Sequence, residues 1–513
     1  MAAKILWIDD EIDLLRPLCI ILSNAGYEVE TASNGADALQ TLNTQHFDVV
    51  LLDENMPNMS GLETLNRIKK QNPDIPVVMI TKSEEENIME QAIGQKIANY
   101  LVKPVSKMQL LACLKQLVGK QQLISQTTQH NYQADFATIS MEMNQCSTFD
   151  DWSALYQKLV RYDIDLEGIK AMEEIQRLQK RSANEGFAKF VSKNYLAWMQ
   201  QRTGDNVPLM SNRIMKDRIL PLLEQNKKVV LIIIDNCRLD QWESIRPLLT
   251  PHFNISTELY CSILPTATQF ARNAIFSGLM PAEIESMFPE YWNDNETGQN
   301  QHERDLIGTF FNRYRKTQYK YAYYKVNTAE SGENLVKKYP NYRSNHLNAF
   351  VFNFVDMLSH ARTDVSVVNE LSNTEAAYRS ITRSWFEHSA LFDLLMQLHS
   401  EDVTIVITTD HGTIKVDTPR KVVGDREVNT NLRFKTGKGL QFDAKNTFEI
   451  KKPEEAFLPK SKLSSNYIFA LNNDYFVYPN NYSEYTRRFA DTFQHGGISM
   501  EEMIIPFVCM EAK

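Results

Sequence analysis

Three runs of consecutive apolar residues open the chain, Ile5–Ile8, Val49–Leu52 and Val77–Ile80, and helix-length segments separate them. A short run with no polar alternation is the pattern of a strand buried on both faces. Strands of that kind alternating with helices predict a parallel α/β sheet. Tyr100–Val102 is a fourth strand candidate. From Gln121 to Arg202 the strand pattern stops and apolar residues recur at helical spacing, as in Trp152, Leu155, Tyr156, Leu159 and then Phe187, Val191, Tyr195, Trp198. This predicts a small helical bundle. Thr203–Pro208 is turn chemistry. Beyond it, Val229–Ile234, Phe350–Val355 and Val403–Thr409 are again buried-strand candidates, so a second, larger α/β domain follows. The stretch Asn293–Arg304 is polar enough for a surface loop. The fold class is α/β: a doubly wound domain at 1–120, a central helical bundle at 121–205 and a larger α/β domain at 206–513.

Length agrees with this division, since 513 residues exceed what a single core holds. With 55 Lys and Arg against 64 Asp and Glu, the net charge of −9 argues against a chain that coats nucleic acid. An anionic substrate would need a local basic pocket. One candidate is the stretch from Lys415 to Lys438, where Lys415, Arg420, Lys421, Arg426, Arg433, Lys435 and Lys438 face only Asp417, Asp425 and Glu427. Arg433 and Lys435 are its candidate substrate contacts. The six cysteines are scattered without a CxxC pair, which fits a reducing compartment. The first residues lead into an apolar strand rather than a secretory leader, and no apolar run approaches the ~20 residues of a membrane span. The expectation is a cytoplasmic protein with no membrane insertion.

In doubly wound sheets ligands gather beyond the carboxyl ends of the strands. Here Asp9 and Asp10 follow the first strand, Asp53 the second, Thr81 the third and Lys103 the fourth. Converging carboxylates repel one another unless a hard divalent cation sits among them, and Mg²⁺ is the expected occupant. Asp53 is then the candidate phosphoacceptor, with Lys103 and the Thr81 hydroxyl on the phosphoryl oxygens. The joint set of Asp9-Asp10, Asp53 with Met56-Pro57 and Gly61, Thr81, and Lys103-Pro104 with Tyr100 resembles the response-regulator receiver family. The resemblance implies phosphorylation by a sensor histidine kinase, Mg²⁺ on Asp9, Asp10, Asp53 and Asn55, and a switch built from Thr81, Tyr100 and Lys103. Glu54-Asn55 after the acceptor departs from the family pattern. Homodimerisation on phosphorylation, through residues 84–95 and 107–118, is a further expectation.

In the larger domain Asp235 ends a strand, Pro265-Thr266-Ala267-Thr268 precedes a helix-like stretch, and Asp356 and His360 stand four residues apart after a strand. Asp410-His411-Gly412 ends another strand, and His495-Gly496-Gly497 precedes Ile504-Ile505-Pro506-Phe507. Three aspartates, three histidines and a hydroxyl in this order resemble the alkaline phosphatase superfamily. The segments His495–Glu502 and Asn429–Phe434 resemble signatures of the PglZ domain. Receiver, helical linker and PglZ domain in one chain resemble the PorX regulators of Bacteroidetes.

The resemblance implies one Zn²⁺ on Asp356, His360 and His495, and a second on Asp235, Asp410 and His411 with the Thr268 oxygen. Carboxylate and imidazole without thiolate suit Zn²⁺ and also accommodate Mn²⁺. Thr268 is the implied nucleophile, with Thr266 its competitor, and Arg272 and Asn273 follow closely enough to hold a non-bridging oxygen. The function so indicated is a phosphorylation-controlled, zinc-dependent phosphodiesterase or phosphatase. The resemblance tilts it towards nucleotides or oligonucleotides and implies regulation of type IX secretion, with secretion-machinery or sigma-factor partners. The alternative is a phosphorylation-switched binding protein whose metal domain is a docking platform with little catalysis. Ligands shared by both branches leave diester against monoester open.

Overall fold

The computed structural model describes residues 3–73, 75–81, 97–204, 206–293, 300–364, 374–424, 431–460, 466–480 and 482–513. It divides into two compact units, Met1–Gln133 and Ala134–Lys513. In the first, strands β1 (Lys4–Ile8), β2 (Glu28–Ala32), β3 (Val49–Asp53), β4 (Val77–Thr81) and β5 (Asn99–Val102) form one sheet in the order β2-β1-β3-β4-β5. All pairings are parallel, with Ile5 opposite Val49 and Val50 opposite Val77. The apolar runs serve both faces of this sheet. Leu6, Ile8, Val50, Leu52 and Met79 pack with Leu65 and Ile68 on one side, while Ile5, Trp7, Leu51, Val78 and Ile80 pack with Leu22, Leu110 and Leu114 on the other.

Three helices of this unit are α1 (Arg16–Asn24), α2 (Gly35–Thr44) and α3 (Gly61–Gln71). The last is capped by Ser60, whose hydroxyl accepts the Glu63 amide. Its first residue must be glycine for a steric reason: a Cβ at Gly61 would lie 2.3 Å from the carbonyl oxygen of Asp53. The sequence thus lets α3 start against the end of β3. Residues 84–95, expected in a dimer face, lie outside the described residues.

The helical region differs from its expectation in where it begins. A 39-residue helix, α4 (Lys107–Gln145), runs through residue 121 without a break. It is followed by α5 (Phe149–Asp165) and α6 (Lys170–Gln201). Thr148 and Asp151 cap α5 reciprocally. The predicted apolar spacing is buried where α5 and α6 meet, with the Trp152 and Phe187 rings edge to face at 5.8 Å.

The large sheet contains β6 (Val229–Ile234), β7 (Phe253–Cys261), β8 (Tyr321–Val326), β9 (Leu347–Phe352), β10 (Thr404–Thr408) and β11 (Ile504–Ala512), in the order β7-β11-β10-β6-β9-β8. The run from β10 to β8 is parallel, with Thr404 opposite Val229 and Val229 opposite Leu347. β11 is antiparallel to both β10 and β7, so the sheet is mixed. Two sequence expectations are corrected here. The strand predicted at Phe350–Val355 ends at Phe352, and Asp356 lies in the first turn of α8 (Phe354–Asp364). The polar stretch predicted as a loop through Arg304 turns helical at Glu303, whose side chain is buried. No described helix is long and apolar enough to cross a membrane.

Candidate functional site

The parallel strands of the first unit bring Asp9, Asp10 and Asp53 together, with carboxylate oxygens within 4.8 Å of one another. Lys103 reaches into the group, donating to Asp9 Oδ2 at 2.7 Å and lying 3.1 Å from Asp53 Oδ1. Burial raises the Asp53 carboxyl, and Lys103 only partly offsets this. Lys103 is itself raised, because its bonds to Asp9 and Asp53 outweigh its burial. Thr81 is buried at the end of β4, Tyr100 is exposed on β5, and Asn55 is exposed beyond Asp53. Three acids beside one lysine leave an excess of negative charge at the strand ends, which fits a divalent cation there.

The second unit assembles two further groups. Asp356, His360 and His495 form one, and Asp235, Asp410 and His411 the other, each with its ligand atoms within 4.8 Å. β6 delivers Asp235, β10 leads to Asp410-His411, and the first turns of α8 deliver Asp356 and His360 at i and i+4. The two groups adjoin, since the His411 and His495 rings stack at 4.3 Å. Thr268 is the first residue of α7 (Thr268–Ser277), and its Oγ1 lies 3.1 Å from His411 Nε2 and 3.4 Å from Asp235 Oδ1. Thr266 is spent differently. It is fully buried, donates to the Gly497 carbonyl at 2.9 Å and accepts from the Gly496 amide at 3.0 Å.

The donors suit a metal. His411 Nδ1 faces the Gly412 carbonyl and His495 Nδ1 the Thr266 carbonyl, each at 3.1 Å, so both rings keep their Nε2 lone pairs for the site. Burial lowers both imidazoles, that of His495 to about 4, so they are neutral as ligands must be. Asp410 Oδ2 is buried without a hydrogen-bond partner, and burial together with Asp235 raises this carboxyl well above the usual range. Asp356 is raised by burial and by Asp235. Asp235 is lowered, because Arg272 and His411 overcome its burial.

Three of the candidate substrate contacts have partners within the fold. Arg272 is buried and committed to carboxylates, with Nη1 2.6 Å from Asp235 Oδ2 and Nε 2.5 Å from Glu303 Oε1. Arg433 is buried in a pair with Glu502 at 2.6 Å and also donates to the Asp474 carbonyl. Lys435 is buried with its ammonium 4.7 Å from the Tyr478 ring centre. Elsewhere in the basic stretch Lys415 lies 3.3 Å from Asp491 and Arg420 2.7 Å from Asp474. Residues 425–430 lie outside the described residues. Asn273 is buried, and its Oδ1 has no hydrogen-bond partner.

Sequence reasoning missed Asn236, whose side-chain amide reaches Asp356 Oδ1 and Ser359 Oγ at 3.2 Å while its backbone amide reaches Asp410 Oδ1 at 3.3 Å. It bridges the two groups. Its place directly after Asp235 at a strand end was the available signal. Glu303, which also accepts from the Tyr323 hydroxyl, carried none, being 68 positions from Asp235 in a polar stretch. A fourth acidic group, Asp163, Asp240 and Glu375, is matched by Lys180, Arg238 and Arg379 and is an internal ion network.

Comparison with known proteins fits this geometry. The family model for the response regulator receiver domain matches residues 5–115 and that for the PorX response regulator linker domain 122–199. The model for the BREX system PglZ alkaline phosphatase-like domain matches 214–510. Relatives include the transcriptional regulatory protein CpxR homolog of Haemophilus influenzae, 37% identical over 23% of this chain and 51% of its own. The alkaline phosphatase synthesis transcriptional regulatory protein PhoP of Bacillus subtilis is 29% identical over 25% of this chain and 54% of its own. The chain thus spans about half the length of these two relatives. Among solved structures, the chemotaxis protein CheY4 of Vibrio cholerae is 33% identical, covering 23% of this chain and 99% of its own with a TM-score of 0.22. Fold and sites together define a response regulator that carries a phosphatase-like domain. The chain belongs to the PglZ family, in the receiver, linker and PglZ order of a PorX-type regulator.

Proposed function

We propose that Asp53 accepts a phosphoryl group from a sensor histidine kinase and that its phosphorylation controls a hydrolase acting on phosphate diesters, nucleotides or oligonucleotides by preference. The observation that carries the hydrolase is the Thr268 hydroxyl, half-open at a helix start and within 3.4 Å of Asp235 and His411. Asp356, His360 and His495 would hold one zinc ion, and Asp235, Asp410 and His411 with Thr268 Oγ1 a second. Bound there, zinc would neutralise charge on the phosphoryl group and lower the pKa of the attacking hydroxyl.

Thr268 Oγ1 is the nucleophile: it gives up its proton to solvent and bonds to phosphorus as the ester P–O bond breaks, the leaving alkoxide takes a proton from water, and a second water then cleaves the bond from Thr268 to phosphorus and restores the hydroxyl. Asn236 holds the two ligand groups in register, and the Nδ1 contacts of His411 and His495 fix their ring orientation. In the receiver, Asp9, Asp10, Asp53 and Asn55 would hold Mg²⁺, while Lys103 and Thr81 take the phosphoryl oxygens and Tyr100 follows the Thr81 hydroxyl. The preference for nucleotide substrates and a role in type IX secretion rest on the PorX and PglZ likeness, dimerisation on phosphorylation on the receiver likeness, and a cytoplasmic location on the scattered cysteines. The functional partition follows the boundaries near residues 120 and 205.

Elemental analysis and turnover of an aryl phosphodiester test this together. About two zinc ions per chain are expected, with turnover lowered at least ~100-fold in Thr268→Ala, since the nucleophile itself is deleted. A Thr268→Ala protein as active as wild type would sink the assignment.

A further inference from the structure

One stripe of the linker helix α6 reaches the back of the candidate active site at two places. Asn184 and Tyr195 stand eleven positions apart, about three turns, so both project from the same face, and Lys180 lies one turn before Asn184. The Asn184 amide donates to Glu501 Oε2 at 2.9 Å, its carbonyl oxygen accepts the Met500 amide at 2.8 Å, and Lys180 Nζ lies 3.3 Å from Glu501 Oε1. Further along, the Tyr195 hydroxyl accepts the Leu264 amide at 2.8 Å. Asn184, Tyr195 and Glu501 are all buried.

Both contacts end beside reacting groups. Leu264 is two residues before Thr266 and four before Thr268. The turn Met500–Met503 is tied to the ligand loops from below: Glu502 Oε1 accepts the Gly497 amide at 2.8 Å, and Thr266 Oγ1 is bonded to both Gly496 and Gly497. The same turn supports the other histidine. The Gly412 amide donates to the Glu502 carbonyl at 3.2 Å, and a Cβ at Gly412 would lie 2.0 Å from the Glu501 carbonyl oxygen. Asn184 therefore holds the turn under His411 and His495, and Tyr195 holds the segment that leads to Thr268.

We propose that the linker helix is part of the catalytic apparatus, with Asn184 and Tyr195 as positioning residues that keep the His411 and His495 ligands and the Thr268 nucleophile in register. The far end of α4 rests on the same helix, where Gln179 Nε2 donates to the Phe136 carbonyl at 3.0 Å, one position before Lys180. A shift of α6 along its axis moves both supports at once, which gives the linker a physical route to the site. The inference rests on the proposed hydrolase reading, and its test separates the two.

The full-length protein is measured as wild type, Asn184→Ala, Asn184→Asp, Tyr195→Phe and, as a control, Glu185→Ala on the exposed face of the same helix. Zinc affinity is read by competition with a chromophoric chelator, and kcat and KM on bis(p-nitrophenyl) phosphate. Loss of ligand support weakens metal binding about tenfold or more, so both Asn184 variants should show this. Asn184→Asp keeps the size of the side chain if the alanine variant does not fold. Tyr195→Phe should keep its zinc and KM while kcat falls about tenfold, as expected of a misplaced nucleophile. Glu185→Ala should match wild type. Wild-type zinc affinity in the Asn184 variants overturns the role of Asn184, and wild-type kcat in Tyr195→Phe overturns that of Tyr195, even if melting temperatures fall. A wild-type protein that binds zinc but turns over no diester sinks the hydrolase reading and with it the role of Tyr195, while zinc affinity still decides that of Asn184. A protein that holds no zinc overturns both readings.

Discussion

At the scale of single residues, the two threonines of Pro265-Thr266-Ala267-Thr268 separate by burial. Thr266 makes two buried hydrogen bonds, so Thr266→Ala should cost about 1–3 kcal/mol of stability, whereas Thr268→Ala should leave urea unfolding near wild type and remove turnover. A reversal of that pattern would place the nucleophile at Thr266. Arg272 is a buried cation between Asp235 and Glu303. Removing one partner of such a set leaves uncompensated charge, so Arg272→Ala should destabilise the zinc-free protein by about 3–5 kcal/mol. Added zinc should restore more stability to this variant than it adds to wild type. Equal gains would mean that Arg272 and the metal do not share Asp235. Burial, with His411 beside it, pushes His495 from 6.5 down to about 4. The unfolded chain then takes up a proton that the folded zinc-free protein refuses. This contribution is complete above about pH 6.5 and is lost as pH falls from there towards 4, by up to about 3 kcal/mol. Urea unfolding of zinc-free protein across that window should show the slope, and His495→Gln should flatten it. The clustered residues Asp235, Asp410 and His411 were legible because they follow apolar strands, and Asp356 and His360 because they stand four positions apart. The roles of Arg272 and Arg433 were not, because a charged residue near a site reads the same whether its partner is a substrate or a distant carboxylate such as Glu303 or Glu502.

At the scale of elements, the legible strands were the central ones. Val49–Asp53, Val77–Thr81, Val229–Ile234 and Thr404–Thr408 are buried at every position and leave unbroken apolar runs. Three strands that the pattern did not reveal, Glu28–Ala32, Phe253–Cys261 and Tyr321–Val326, are sheet edges with half-buried or exposed positions, so polar residues interrupt them. The direction of Ile504–Ala512 was illegible too, since an apolar run carries no sign of whether its neighbour is parallel. The helical spacing of Trp152 to Leu159 and Phe187 to Trp198 was read correctly, but the contact of that helix with Met500 and Leu264 is long-range and leaves no periodic trace. One substitution tests the turn at that contact. A methyl group at Gly412 would meet the Glu501 carbonyl oxygen at 2.0 Å, a backbone atom with no flexible side chain to yield. Gly412→Ala should therefore displace His411 from the turn Met500–Met503 and lower zinc affinity. A variant that folds and binds zinc as tightly as wild type would show that the turn gives way without moving the ligand.

At the scale of the whole molecule, the open matter is whether the chain works as one device. Phosphorylation can shift an equilibrium only by the difference in its interaction with two states. The receiver supplies such a difference at Lys103, which now binds both Asp9 and Asp53. A phosphoryl group on Asp53 offers new oxygens to Lys103 and to the Thr81 hydroxyl, so the set of contacts at the strand ends must change. Helix α4 starts only four residues after Lys103, and it is continuous for 39 residues. Such a helix is stiffer than a Gly/Ser connection of the same length. Its far end rests on α6 at Gln179, so the expected output is a change in diester turnover rather than in fold. Beryllofluoride with Mg²⁺, a mimic of the phosphoryl group, should alter kcat and raise the mass seen by light scattering in the same sample, while Asp53→Ala stays monomeric and unresponsive. The Asn184 and Tyr195 variants then locate the route. If the linker carries the signal, the mimic should still raise the mass of Tyr195→Phe but should change its kcat less than it changes that of wild type. A mimic that binds wild type yet alters neither mass nor turnover would leave two competent domains on one chain with no coupling between them.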